Sequence, residues 1–154
     1  MAAQFFRANV GIILCNANGQ VLAFQRADRP GQWQLPQGGL RKNEEPLEAA
    51  LRELEEETGL TRSEVELIGE HPRWLAYELP PEARRKKTGR GQVQKFFLFR
   101  LRTSATVKLD RAAARELDDH HWTTLVELAE STWSVRRATY LELAAHFAPQ
   151  LDRD

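Results

Sequence analysis

Apolar positions along the chain fall first into two short runs, residues 10–15 and 20–26, separated by Asn16-Ala17-Asn18-Gly19. An Asn-Gly pair favours the positive backbone angles of a tight hairpin, so the two runs are predicted to be antiparallel strands. The stretch Trp33-Gln34-Leu35-Pro36-Gln37-Gly38-Gly39 follows, and its proline and paired glycines predict a tightly folded loop rather than regular structure. A helix is predicted from about residue 44 to residue 58, because Leu47, Ala50, Leu51 and Leu54 recur at i, i+3, i+4 and i+7 and Gly59 is placed to stop it. Residues 65–70, 74–79 and 93–102 read as strands, with a polar, basic loop over 80–91. Beyond them, 116–123 reads as a loop running into a short strand and 125–130 as a helical turn. Residues 135–147 read as a second main helix, carrying Tyr140, Leu141, Leu143, Ala144 and Phe147. Strands mixed with two main helices predict an α/β or α+β sandwich.

Composition narrows this picture. A chain of 154 residues, 42% hydrophobic and 29% charged, predicts one domain over residues 1–154 and excludes a disordered or collagen-like chain. No apolar run approaches the roughly 18 residues that span a bilayer. The amino terminus lacks a basic start followed by an apolar signal region, so no membrane association and a cytoplasmic location are expected. Cys15 is the sole cysteine, which excludes an internal disulfide and a cysteine-rich zinc site; its surroundings, Gly11-Ile12-Ile13-Leu14, read as a buried strand.

The formal net charge is zero, but residues 44–57 hold seven glutamates against one arginine, so the remainder of the chain is correspondingly basic. At 100° per residue Glu57 lies about 40° from Glu53 and Glu56 about 60° to its other side, so three carboxylates share one helix face while Glu55 points away. Carboxylates that close repel by on the order of 1 kcal/mol or more per pair unless a cation neutralises them. An acidic helix face is usually just solvated, offset by lysine or arginine one turn on. Within 53–57 there is no such residue, the leucines commit the other face to the core, and a glycine-rich loop precedes. An oxygen-only cluster selects magnesium or manganese over zinc.

The order Gly38, five residues, Glu44, seven residues, Arg52-Glu53-Leu54, one residue, Glu56-Glu57, one residue, Gly59-Leu60 resembles the Nudix box at every position. Chance agreement at nine spaced positions is below about one in a million at ordinary composition. The resemblance implies a Nudix α/β/α sandwich with a mixed sheet, and hydrolysis of a phosphoric anhydride in a nucleotide. It implies that Glu53, Glu56 and Glu57, with the Gly38 carbonyl, bind Mg2+ (or Mn2+), and that Glu44 and Arg52 fix the loop against the helix, with Gly38 and Gly59 as structural members of the box.

The resemblance runs from Arg7 to about Phe147 and is strongest to the RNA pyrophosphohydrolase and dinucleoside tetraphosphate hydrolase branch. Arg7-Ala8-Asn9-Val10-Gly11, the Trp33–Gly39 stretch, Trp74-Leu75-Ala76-Tyr77-Glu78-Leu79-Pro80, Gly91-Gln92-Val93-Gln94-Lys95-Phe96-Phe97 and Glu116-Leu117-Asp118 carry it. By that resemblance Glu116 is a further metal ligand or the base that activates water, and Arg7, Arg26, Gln37, Lys95 and Arg136 bind substrate. Histidine is a common general base, so His120 and His121 are chemically suited to that role too. Asp119-His120 stands where the branch has Asp-Gly, and Val135 stands where it stacks a base, with Trp133 close enough to substitute. The expected activity is removal of pyrophosphate from the 5′-triphosphate end of RNA. The alternative is asymmetric cleavage of diadenosine tetraphosphate to ATP and AMP, and an alternative of another class is nucleotide or RNA binding without turnover. The expected partner is thus triphosphorylated RNA or a dinucleoside polyphosphate, not DNA. The five cations among Arg84-Arg85-Lys86-Lys87-Thr88-Gly89-Arg90 suit an RNA backbone or a solvated loop.

Overall fold

The computed structural model describes residues 4–102 and 105–152. Its sheet is built on β1 (Phe6–Cys15) and β7 (Gly91–Leu101), which run parallel in register from Phe6 against Gly91 to Cys15 against Arg100. On the far side of β7 lie β5 (Val65–Glu70) and β6 (Leu75–Glu78), both antiparallel to it. On the far side of β1 lie β2 (Val21–Arg26) and β4 (Gln37–Gly39); β2 in turn pairs with β3 (Trp33–Gln34) and with β8 (Leu117–Thr123), all antiparallel. The sheet is mixed because a single parallel pair sits among antiparallel ones.

Both faces of this sheet are covered, which is why β1 reads as an uninterrupted apolar run rather than an alternation. Val10, Ile12, Leu14, Phe97 and Phe99 pack with Leu54 and the alanines of α1 (Pro46–Thr58). Ile13, Cys15, Phe96 and Leu98 pack on the opposite face with α2 (Leu125–Ser131) and with Tyr140, Leu143 and Phe147 of α3 (Arg137–Leu151). This is the helix–sheet–helix layering expected from the sequence. Gly11 is required at the centre, since a Cβ there would fall inside the Phe96 ring. Among the described residues no helix is long and apolar enough to cross a membrane.

Several boundaries differ from the sequence reading. The first strand begins at Phe6 rather than residue 10, because the polar Arg7-Ala8-Asn9 is paired to β7 along its whole length. The Trp33–Gly39 stretch contains two short strands instead of an irregular loop: Gln34 pairs with Phe24, and Gly38 with Val10. Helix α1 starts at Pro46 rather than near Glu44; proline has no amide hydrogen to lose at a first helical position. At its other end Gly59 adopts φ 77° and returns its N–H to the Glu55 carbonyl at 2.9 Å. The last helix starts at Arg137, after a 3-10 turn over Ser134–Arg136, and runs on to Leu151.

Candidate functional site

One groove of about 560 Å³ opens between α1, the β4 strand and the segment leading into β8. Glu53, Glu56 and Glu57 line it from α1, and Glu116 lines it from the residue before β8. The shared helix face does not give the three helical carboxylates equal environments. Glu57 is only 4% exposed, whereas the Glu56 side chain is 35% exposed and Glu55 is exposed to solvent. Burial, then a hydrogen bond with Glu116 and the charges of Glu116, Glu53 and Glu56, push the Glu57 carboxyl up to about 9. Burial also raises Glu53, against the opposing pull of Arg52.

Arg52 organises the groove edge. Its Nε and Nη2 donate to the two oxygens of Glu44 at 2.8 and 2.9 Å, Nη2 also donates to the Gly39 carbonyl at 2.9 Å, and Nη1 reaches Glu53 at 2.8 Å and Glu56 at 3.2 Å. Helix, loop and strand β4 thus meet on one guanidinium. The basic offset for the acidic run thus comes from outside residues 53–57: Arg52 stands one position before Glu53, and Arg41 adds a 3.4 Å contact to Glu56. Among the described residues no three acidic, histidine or cysteine side chains gather into a preformed metal-binding cluster. Gly38 lies against the acids with no side chain of its own, and a Cβ there would fall inside the Glu53 carboxylate. Carboxyls crowded closely enough to raise one another's affinity for a positive charge, an oxygen-only donor set and an open backbone at Gly38 fit a hard divalent cation.

Of the residues expected to bind substrate, Arg7, Arg26, Gln37 and Arg136 line this groove and Lys95 does not. Alternation along β7 turns Lys95 to the face that Phe97 occupies, where its Nζ donates to the His71 carbonyl and lies 3.3 Å from Glu70. Arg26 is closed onto Asp28 by two hydrogen bonds of 2.9 and 2.8 Å. The Arg7 guanidinium packs over Gly39. Gln37 accepts from Gln94 at 3.0 Å, and Gln94 donates as well to Asn9 at 2.8 Å. Arg136 is 4% exposed, donates to Gln34 at 2.9 Å and covers the Trp133 ring at 5.6 Å.

Neither histidine of β8 lines the groove: the His120 ring faces Phe24 and the His121 ring lies edge-on to Trp33. Trp133 and Val135 do not line it either, so neither offers the groove a stacking face. Sequence reasoning missed Gln34, Gln92, Lys87 and Arg115, all of which do. The amides carry no charge to draw notice, and Lys87 was merged with its neighbours in the basic loop. Within that loop Arg84 and Arg90 are paired to Glu78 at 3.8 and 3.1 Å, while Lys86 and Lys87 have no ion pair among the described residues.

Residues 5–143 match the NUDIX domain. The chain is 42% identical over 151 residues to an RNA pyrophosphohydrolase of Cereibacter sphaeroides, covering 95% of this chain and 93% of that protein. Among solved structures it resembles the E. coli dihydroneopterin triphosphate pyrophosphohydrolase, with a TM-score of 0.71, 20% identity and coverage of 93% and 99% of the two chains. A C. elegans Ap4A hydrolase binary complex matches with a TM-score of 0.69, 20% identity and coverage of 93% and 98%.

Proposed function

Because the chain belongs to the NUDIX family, with the fold and groove just described, we propose that it is a magnesium-dependent pyrophosphohydrolase acting on the 5′-triphosphate end of RNA, leaving a 5′-monophosphate. The observation that carries this reading is that the Glu53, Glu56, Glu57 and Glu116 carboxylates line one groove together with the cations Arg7, Lys87, Arg115 and Arg136. Acids of that kind serve a divalent ion, and the cations that share the groove serve a polyanion.

Glu53, Glu56 and Glu57, with the Gly38 carbonyl, would hold the ion. When bound it supplies neutralisation of the charge that builds on the leaving phosphates. The protein's own residues do the rest. Arg7 and Arg136, with Gln37, bind and orient the polyphosphate; Arg26 is available once it exchanges Asp28 for phosphate. Glu116 takes a proton from the attacking water. The water oxygen forms the new bond to the phosphorus nearest the ribose, the bridging P–O bond opposite breaks, and pyrophosphate leaves with that electron pair. Arg52 takes no proton and touches no substrate; it fixes Glu53 and Glu56 relative to the β4 backbone.

Lys87 at the groove and its chain neighbour Lys86, neither in an ion pair among the described residues, support RNA over a small dinucleotide, because a longer polyanion can engage both. The test compares kcat/KM for triphosphorylated RNA, diadenosine tetraphosphate and nucleoside triphosphates in magnesium. RNA is expected to lead, with pyrophosphate as product. A larger constant for diadenosine tetraphosphate, yielding ATP and AMP, transfers the assignment to that substrate, and tight RNA binding without product would make the protein a binding module. Glu53→Gln and Glu57→Gln are expected to lose most of the activity while keeping the fold.

A further inference from the structure

The segment Ala114-Arg115-Glu116 is pinned at both ends. The Ala114 N–H donates to the Glu56 carbonyl of α1 at 2.9 Å, and the Glu116 carbonyl accepts from the Ala27 N–H, just past β2, at 2.8 Å. Between the pins Arg115 has φ 55°, a left-handed conformation that side-chain-bearing residues avoid and glycine adopts freely. Strain of this sort persists where the surroundings over-determine it, and it concentrates where a side chain has to be delivered to a ligand. Here the residue kept in the strained position carries a full positive charge, is exposed, and lines the groove directly beside Glu116. Its guanidinium has no ion pair or hydrogen bond among the described residues. By contrast, Arg26 is already closed onto Asp28 and Arg136 onto Gln34.

We propose that Arg115 is a substrate-binding residue that places its guanidinium on non-bridging oxygens of the 5′-polyphosphate, and that the left-handed turn is retained to aim it. The proposal rests on the reading of the groove as a site for triphosphorylated RNA. Arg115 adds a cation on the wall that also carries Glu116, so it meets the same phosphates that Glu116 faces. Because it binds the ground state and the transition state alike, it lowers KM without setting kcat.

Two variants separate charge from backbone. Arg115→Gly removes the guanidinium and relieves the turn; Arg115→Gln removes the charge and keeps the strain. With triphosphorylated RNA and magnesium at low salt, both are expected to raise KM about tenfold, with kcat within about twofold. Both should also make the fall of log kcat/KM with log salt concentration shallower by about 0.7 to 0.9, the signature of one lost phosphate contact. Arg115→Gly should melt no lower than wild type, which rules out damage as the cause, and Arg115→Lys should hold KM within about threefold. Wild-type KM and salt slope in either Gly or Gln variant would overturn the assignment of Arg115 alone. A wild-type protein that releases no pyrophosphate from this RNA would overturn the groove's reading and this one together.

Discussion

Arg52 grips both oxygens of Glu44, Nε to Oε2 at 2.8 Å and Nη2 to Oε1 at 2.9 Å, with both side chains mostly out of solvent. The Arg52 hydrogen bonds, joined by the Arg41 backbone N–H, hold the Glu44 carboxyl down at about 2. The unfolded chain protonates this group near 4.5, so the folded protein keeps a charge there that the unfolded one loses. The pair's contribution is therefore complete above about pH 4.5 and disappears as pH falls towards 2. Glu44→Gln is expected to cost about 1–3 kcal/mol at neutral pH, the range for charge-assisted bonds. Denaturant titrations of both proteins at pH 7, 4 and 2.5 check it: the gap should close in the acid range, and a gap independent of pH would mean the charge is not what the pair contributes.

Gly38→Ala tests how finely the acids are placed. The new methyl group would occupy the space of the Glu53 carboxylate, so either Glu53 swings off Arg52 or β4 shifts away from Val10. A displacement of about 1 Å at a reacting centre commonly costs on the order of a hundredfold in rate. The variant is expected to keep its circular dichroism spectrum and lose about that factor in kcat. Wild-type turnover would show that the Glu53 position is not critical.

Much of this arrangement can be read before any fold is known, and the reasons are physical. The α1 stripe of Ala50 and Leu54 and the hairpin at Asn18-Gly19 are local signals, and local signals survive folding. The box from Gly38 to Gly59 is legible because helix periodicity alone brings Glu53, Glu56 and Glu57 to one side. What it conceals is depth: nothing in the spacing says that Glu57 is buried and Glu56 half-exposed. That Lys95 stands off the groove is hidden from the sequence, because a strand residue's face depends on register, which is set by pairing with β1 and not by the residues around it. Arg115 and Gln34 are invisible for another reason, since their places come from contacts across 58 and 102 residues, Ala114 with the Glu56 carbonyl on α1 and Gln34 with Arg136.

Arg136 is buried with a neutral partner, Gln34, and no carboxylate in ion-pair range among the described residues. A cation so placed is costly to the free protein and is repaid when an anion enters. Arg136→Met, which keeps the bulk and drops the charge, is accordingly expected to leave unfolding stability unchanged or raise it by about 1–2 kcal/mol. The same change should raise KM for triphosphorylated RNA by about tenfold or more, an effect of opposite sign on the two measurements. Loss of stability together with an unchanged KM would make Arg136 a structural residue.

The Glu57 and Glu116 carboxyls face each other in the groove, and burial with that contact lifts Glu57 to about 9 against 4.5 in the unfolded chain. Between those values the folded protein holds a proton that the unfolded chain has released. Stability then falls as pH rises, because the unfolded state binds fewer protons than the native one. Thermal melts in a chelator should therefore drop steadily from pH 5 to pH 8.5. Magnesium competes with that proton, so its stabilisation, which grows as RT ln(1 + [L]/Kd), should be small at pH 5 and largest at pH 8.5. Glu57→Gln carries no proton to release: it should flatten the chelator profile and abolish most of the magnesium shift. Should the variant keep both the slope and the shift, Glu57 is neither the buried acid that titrates nor a group that meets the ion.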